Sequence, residues 1–217
     1  MRLLDLFAGA GGAAYGYHLA GFTDIVGVDC EPQPRYPFTF VQADALEYAA
    51  AHGHEFDAIH ASPPCQGYSV TASMPWVPEY PKLIEPVREV LIANGKPYVI
   101  ENVVGAPLIN ATMLCGTQFG LKVFRHRLFE TSFFCLGIRH VPHRERIGVN
   151  GYVCVAGHGD SGRGKVPKDH RTVGSWKRGM GIDWMIRDEL AEAIPPAYTQ
   201  WIGERLMEAI AHDEVER

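Results

Sequence analysis

Ser62-Pro63-Pro64-Cys65-Gln66 is the segment of this chain best suited to chemistry. Two consecutive prolines fix the backbone directly after an apolar, strand-like run, so Cys65 is presented on a loop and not inside a core strand. A cysteine reacts as a thiolate, and nearby positive charge or a helix N-terminus lowers its pKa from roughly 8.5. The other four of the five cysteines read as ordinary structural thiols. A second feature is the glycine turn Asp5-Leu6-Phe7-Ala8-Gly9-Ala10-Gly11-Gly12, set between a first strand and a first helix. Glycines let the backbone approach a ligand, and a helix N-terminus offers unpaired N–H groups. Dinucleotide and adenosyl sites share this pattern. Asp29, one strand later, is placed to hold a ribose diol. Asp44, after a third strand, faces the adenine or amino group of the same ligand; otherwise both acids are strand-end caps.

These residues need a scaffold that brings them to one edge. Met1–Phe7, Ile25–Val28, Phe56–Ala61 and Tyr98–Ile100 read as short apolar strands, with a further β-rich run over Arg127–Phe134. Helical patterns occupy the stretch up to Ala20, Leu46–His52 and Pro86–Asn94. Strands alternating with helices predict an α/β fold with a doubly wound, mainly parallel sheet, whose ligands sit beyond the C-terminal ends of the strands. Asp29, Asp44, Cys65 and Glu101 each follow a predicted strand, so one rim gathers them. After Ile138 the pattern loosens. Gly148–Gly181 reads as an exposed, loop-rich element, and helical pattern returns over Ile186–Ala193 and Thr199–Ala211, on either side of Pro195-Pro196. The expected organisation is a catalytic and cofactor-binding domain over 1–137, a small basic insert over 138–180, and a C-terminal segment over 181–217 that returns to the catalytic domain.

Charge singles out the same insert. The chain carries a net charge of −5, yet Leu121–Met180 holds 12 Lys/Arg against 4 Asp/Glu, a local +8 against −13 elsewhere. Such a segment is either a footprint for a polyanion or a solvated loop region. Cys135, His140, His143, Cys154 and His158 cluster there without a Cys-x2-Cys pair or finger-like spacing, so no metal site is expected. Composition agrees with a globular protein: 47% hydrophobic and 21% charged residues, with glycines and prolines dispersed without a short period. No apolar run reaches the ~18 residues of a membrane span. An odd cysteine count and the absence of a leader-like start predict a cytoplasmic chain without a disulfide framework.

Four segments in order, DLFAGAGG at Asp5–Gly12, SPPCQ at Ser62–Gln66, ENV at Glu101–Val103 and RHRLF at Arg125–Phe129, resemble the motifs of DNA cytosine-5 methyltransferases. GIDWM and AIPPAYTQWIG, within Met180–Gly203, resemble the return segment of phage and bacterial members. The resemblance implies methyl transfer from S-adenosyl-L-methionine to carbon 5 of a cytosine flipped out of DNA. It makes Cys65 the nucleophile at carbon 6 and Glu101 the acid at N3 and the exocyclic amine, with Asn102 and Val103 shaping that loop. Arg125 and Arg127, alternating on a strand, support the base, the thiolate or a phosphate. Phe7, Gly9, Ala10, Gly11, Gly12, Asp29, Cys30, Asp44, Ala45 and Pro63 are the implied cofactor contacts. Gln66 and Ser69, with Arg163, Lys165, Lys168, Arg171, Lys177 and Arg178 of the insert, are the implied DNA contacts, while Trp176 props the insert or fills the gap left by the base.

Four residues depart from the family pattern. Val123 stands where a Gln often precedes the first arginine, Pro195-Pro196 where a polar pair meets the cofactor, and Ser62 where an aromatic or glycine is commoner. An RNA (transfer-RNA) cytosine-5 methyltransferase, a catalytically silent nucleic-acid-binding relative and an amino-methyltransferase are the alternatives. A monomer without membrane association is expected, and a restriction endonuclease counterpart is a partner that the resemblance admits.

Overall fold

The computed structural model describes residues 1–68, 81–155 and 172–215. Seven strands form one sheet: β1 (Arg2–Leu6), β2 (Asp24–Asp29), β3 (Thr39–Gln42), β4 (Ala58–Ala61), β5 (Tyr98–Asn102), β6 (Thr112–Leu114) and β7 (Arg127–Thr131), in the order β3-β2-β1-β4-β5-β7-β6. The first five run parallel, and β7 enters antiparallel between β5 and β6.

Alternation along the strands builds a core on each face of the sheet. Leu3, Ile25 and Val99 pack with α1 (Gly12–Ala20) and α6 (Pro196–Val215). Leu4, Leu6, Val26, Val28, Ile59 and Ile100 pack with α2 (Ala45–His52) and α3 (Ile84–Asn94). Helices on both faces of a mostly parallel sheet are the expected doubly wound arrangement. α1 and α6 lie close because Gly16 has no side chain: a Cβ there would stand 2.0 Å from the Thr199 Oγ1. That hydroxyl donates to the Ala13 carbonyl at 2.8 Å.

A buried ion pair ties α3 to the antiparallel part of the sheet. Arg88 grips Glu130 of β7 with two bonds, 2.7 and 2.8 Å, and donates to the Pro107 carbonyl. Glu130 also accepts from the Ile109 amide at 2.8 Å, so the connection leaving β5 is anchored on both sides.

Two expectations need correction. Gly148–Gly181 is not wholly an exposed loop. Val153 and Val155 are buried, and residues 173–180 form the helix α4 (Val173–Met180), whose Trp176 and Met180 join Ile182, Met185 and, from α5 (Arg187–Glu192), Leu190 in a third core. Its apolar positions, Val173, Trp176 and Met180, follow helical spacing, with Thr172 capping the Ser175 amide. Glycines and basic residues between them conceal that period, yet Gly179 is needed because a Cβ would stand 2.4 Å from Val153. Second, Arg125 does not alternate with Arg127 on one strand, because β7 begins at Arg127. β6, three residues at the sheet edge, is too short for periodicity to reveal.

Candidate active site at the strand-end rim

Because β1, β2, β4 and β5 are parallel, the segments that leave them meet on one edge. The glycine turn follows β1, Asp29 ends β2, Asp44 follows β3, and the Pro-Pro loop follows β4. Glu101 lies one residue inside β5 and does not follow the strand, a small shift from the expected position.

Antiparallel β7 supplies the positive charge. Glu101 pairs with Phe129, so Arg127, two residues along, lies on the same sheet face. Its Nε stands 3.0 Å from Glu101 Oε1. Among the described residues that oxygen has no aligned hydrogen-bond donor, although Glu101 is only 5% exposed. A buried carboxylate oxygen held by charge alone is an acceptor still available to a ligand. Burial raises the Glu101 pKa, opposed by Arg127, the Ser62 hydroxyl and Arg125.

The Cys65 thiol is half-buried, and burial raises its pKa; Arg127 opposes this and Glu101 reinforces it, with a smaller lowering from Arg125. The resting thiol is thus protonated near neutrality, with Arg127 the main group favouring the thiolate. Pro63, Cys65 and Glu101 are kept in one unit by Asn102, whose amide donates to the Pro63 carbonyl at 2.8 Å. The Asn102 side-chain oxygen Oδ1 in turn accepts from the Val103 amide.

Arg125 has a structural task that sequence reading missed. Its two terminal nitrogens donate to the Val155 and Ala191 carbonyls at 2.7 Å each. Its own carbonyl accepts from the Tyr198 hydroxyl at 2.6 Å. The guanidinium is buried, its pKa is lowered to about 9 by burial and Arg127, and its Nε has no partner among the described residues. Arg125 therefore joins the insert and the C-terminal segment to the rim, while its charge still acts on Cys65.

A buried polar chain also escaped the sequence reading. Tyr17 Oη contacts His60 Nδ1 at 2.9 Å, and His60 Nε2 contacts Ser62 Oγ at 2.9 Å. Burial pushes the His60 pKa down to about 3, so the ring is neutral. The only sequence signal was its position two residues before Ser62, on the same face of a strand otherwise apolar.

On the glycine side, the Asp29 carboxylate accepts from the Gly9 amide at 2.9 Å and the Glu31 amide at 3.0 Å. Phe7, Gly9 and Gly11 all have positive φ. Among the described residues a Cβ at Gly9 would meet nothing within 4 Å, so space opens above the turn there. Gly11 and Gly12 serve packing: a Cβ would stand 2.5 Å from Pro37 and 2.6 Å from the Ile194 carbonyl, respectively. Gly11 caps α1 without a side-chain hydrogen bond, which leaves N–H groups at the helix start for an acceptor. The open space, that helix start and the Asp29 carboxylate are the donor and acceptor set that an adenosyl cofactor requires. Asp44 is exposed and caps α2 by accepting from Leu46 and Glu47, with Ala45 buried beneath it. Cys30 is exposed beside Asp29. Ala10 accepts from the Trp184 indole at 2.9 Å, which docks the C-terminal segment on the turn.

The C-5 cytosine-specific DNA methylase model matches residues 1–105, the half that carries the turn, Cys65 and Glu101. Through these residues the chain resembles the C-5 cytosine-specific DNA methylase family. The type II methyltransferase M.AquIA of Picosynechococcus is 32% identical over 121 residues, covering 48% of this chain and 49% of the relative. M.DdeI of Desulfomicrobium norvegicum is 29% identical over 120 residues, covering 48% and 28%. The chain thus spans about half or less of the length of these curated relatives. Among solved structures, a candidate DNA modification methyltransferase encoded within an E. coli prophage superposes with a TM-score of 0.62 at 13% identity, covering 98% of this chain and 99% of that one. The S. pombe Dnmt2 methyltransferase gives 0.60 at 15% identity, covering 97% and 99%. The likeness in fold to these two methyltransferases therefore extends over nearly all of the chain, beyond the matched residues 1–105.

The predicted DNA contacts are only partly in view. Gln66 lies in a single 3-10 turn over residues 66–68, directly after Cys65. Lys177 donates to the Asp183 carbonyl and closes the turn after α4, while Arg178 is exposed. Ser69, Arg163, Lys165, Lys168 and Arg171 lie outside the described residues, as does His158. Trp176 is 3% exposed within the third core, with Arg187 over its ring at 4.2 Å, so it props this segment. Among the described residues no helix is long and apolar enough to cross a membrane.

Proposed function

We infer that the chain transfers a methyl group from S-adenosyl-L-methionine to carbon 5 of cytosine in DNA. The observation that carries this reading is the convergence of Cys65, Glu101 and Arg127 on the rim that also bears the glycine turn and Asp29. When bound, the cofactor supplies an electrophilic methyl group. Asp29 would accept from the ribose hydroxyls, with Phe7, Gly9, Cys30, Asp44, Ala45 and Pro63 lining the remainder.

Carbon 5 of cytosine is a poor nucleophile, and addition of a thiolate at carbon 6 makes it enamine-like. Cys65 performs that addition. Glu101, with its pKa raised and one oxygen lacking an aligned donor, meets N3 and the exocyclic amine as charge develops on the ring. Arg127 favours the thiolate and holds Glu101 in place. Loss of the carbon-5 proton and departure of Cys65 then restore the aromatic ring. The atoms of a stacked cytosine are out of reach of Cys65, so the base must leave the duplex.

The test is mass spectrometry of nucleosides from methylation-free bacterial DNA treated with the chain and S-adenosyl-L-methionine. 5-Methyldeoxycytidine should appear with the wild-type chain and not with Cys65→Ala. Methylation confined to RNA would replace the substrate, and N4-methylcytosine would overturn the mechanism.

A further inference from the structure

Beside the rim, four side chains from three separate stretches of sequence meet: Cys115, His126, His140 and His143. Their ligand atoms all lie within 4.8 Å of one another. The sequence reading expected no metal site, and considered Cys135, His140, His143, Cys154 and His158. Among the described residues, the cluster takes His140 and His143 from that set and adds Cys115, directly after β6, and His126, just before β7.

We propose that these four residues bind a structural zinc ion. With Zn–N of about 2.0–2.1 Å and Zn–S of about 2.3 Å, a tetrahedral site needs N···N edges near 3.3–3.4 Å and N···S edges near 3.6 Å. His126 Nε2 stands 3.3 Å from His140 Nε2 and 3.0 Å from His143 Nε2, and Cys115 Sγ stands 3.6 Å from His143 Nε2. The imidazoles are not stacked on one another: their planes cross at 68°, 57° and 80°. Three imidazoles with one thiolate in tetrahedral array suit zinc, and four protein ligands make the site closed and structural.

The surroundings support a metal-bound thiolate. The Thr117 hydroxyl donates to Cys115 Sγ at 3.5 Å. Gln118 accepts from the Cys115 amide and donates to the Ile138 carbonyl, holding the loop that brings in His140. Phe124 packs on His143 at 4.3 Å and stacks on Tyr152 at 4.7 Å. Such partners orient ligands and exclude solvent. The consequence lies in the position of His126, between Arg125 and Arg127. A zinc ion there would pin the backbone that aims both arginines and anchor the start of the basic insert to the sheet edge.

The site is independent of methyl transfer, and so is its test. The full chain, purified without chelator, should contain one zinc per molecule by elemental analysis. Cys115→Ser and His140→Ala should each lower zinc affinity about tenfold or more in competition with a chromophoric chelator. Cys135→Ser, outside the cluster, should keep full occupancy. Reconstitution with Co²⁺ should give the intense visible bands of tetrahedral cobalt and a thiolate charge-transfer band absent from Cys115→Ser. Circular dichroism checks that each variant is folded, and the wild-type measurements stand even where a variant is not. A wild-type chain without zinc that gives no cobalt spectrum would overturn the proposal. So would zinc retained unchanged by both Cys115→Ser and His140→Ala.

Discussion

The Asn102 side chain donates to the Pro63 carbonyl at 2.8 Å, so the strand carrying Glu101 also holds the loop that presents Cys65. Nucleophile and acid are thereby registered through a single buried hydrogen bond and not through two independent loops. Asn102→Ala leaves that carbonyl without its donor, at a cost of about 1–3 kcal/mol in stability. Methyl transfer should fall steeply while S-adenosyl-L-methionine affinity stays near wild type. Asn102→Asp, which sets an acceptor against an acceptor, should be worse. Urea unfolding and calorimetry with cofactor separate the two effects.

Arg127 should govern the reactivity of Cys65. Burial raises the thiol pKa and Arg127 is the largest opposing influence, so its removal must raise the pKa further. In Arg127→Met, the pH midpoint of Cys65 alkylation by iodoacetamide should move up by about one unit or more. Arg127→Lys should recover part of the shift. Peptide mass spectrometry isolates Cys65 from exposed Cys30 and Cys154. An unmoved midpoint in Arg127→Met would remove this arginine from thiolate stabilisation.

Asp5 predicts an alkaline loss of stability. Its carboxyl is 1% exposed, accepts from the Tyr36 hydroxyl at 3.1 Å, and is pushed up to about 8 by burial, with Asp29 adding to the rise. The unfolded chain ionises this group at its ordinary value of 3.8, so the folded state alone keeps the proton between 3.8 and about 8. Stability from this group is greatest below that window and falls across it by about 1.4 kcal/mol per pH unit. His60 acts in the opposite sense: its depressed value makes stability fall as pH drops from 6.5 toward about 3. Wild type should therefore lose about 2 kcal/mol relative to Asp5→Asn between about pH 6 and pH 7.5, read by urea unfolding. A constant difference between the two proteins would show that Asp5 is ionised in the fold.

The rim was legible in the sequence because its members sit where a strand's period breaks. The glycine turn, Asp29 and Cys65 each follow an apolar run, and parallel strands bring such breaks to one edge. Glu101 was found through its ENV motif, although the strand extends past it. What escaped depends on residues distant in sequence. Trp184 reaches Ala10 across 174 positions, and Arg125 spends its donors on Val155 and Ala191, 30 and 66 positions away. No local pattern announces such meetings. α4 was hidden for a different reason: glycines used for close packing resemble those of a loop.

The most direct test of the account is covalent capture. Fluorine at carbon 5 cannot leave as the proton does, so duplex DNA containing 5-fluorocytosine at a methylated site should hold the chain after methyl transfer. With S-adenosyl-L-methionine present, the wild-type chain should give a DNA adduct stable to denaturing electrophoresis, mapped to the peptide containing Cys65. Glu101→Gln should form it more slowly and Cys65→Ser not at all. An adduct formed equally by Cys65→Ser, or methylation of DNA by the wild-type chain without any adduct, would contradict the account.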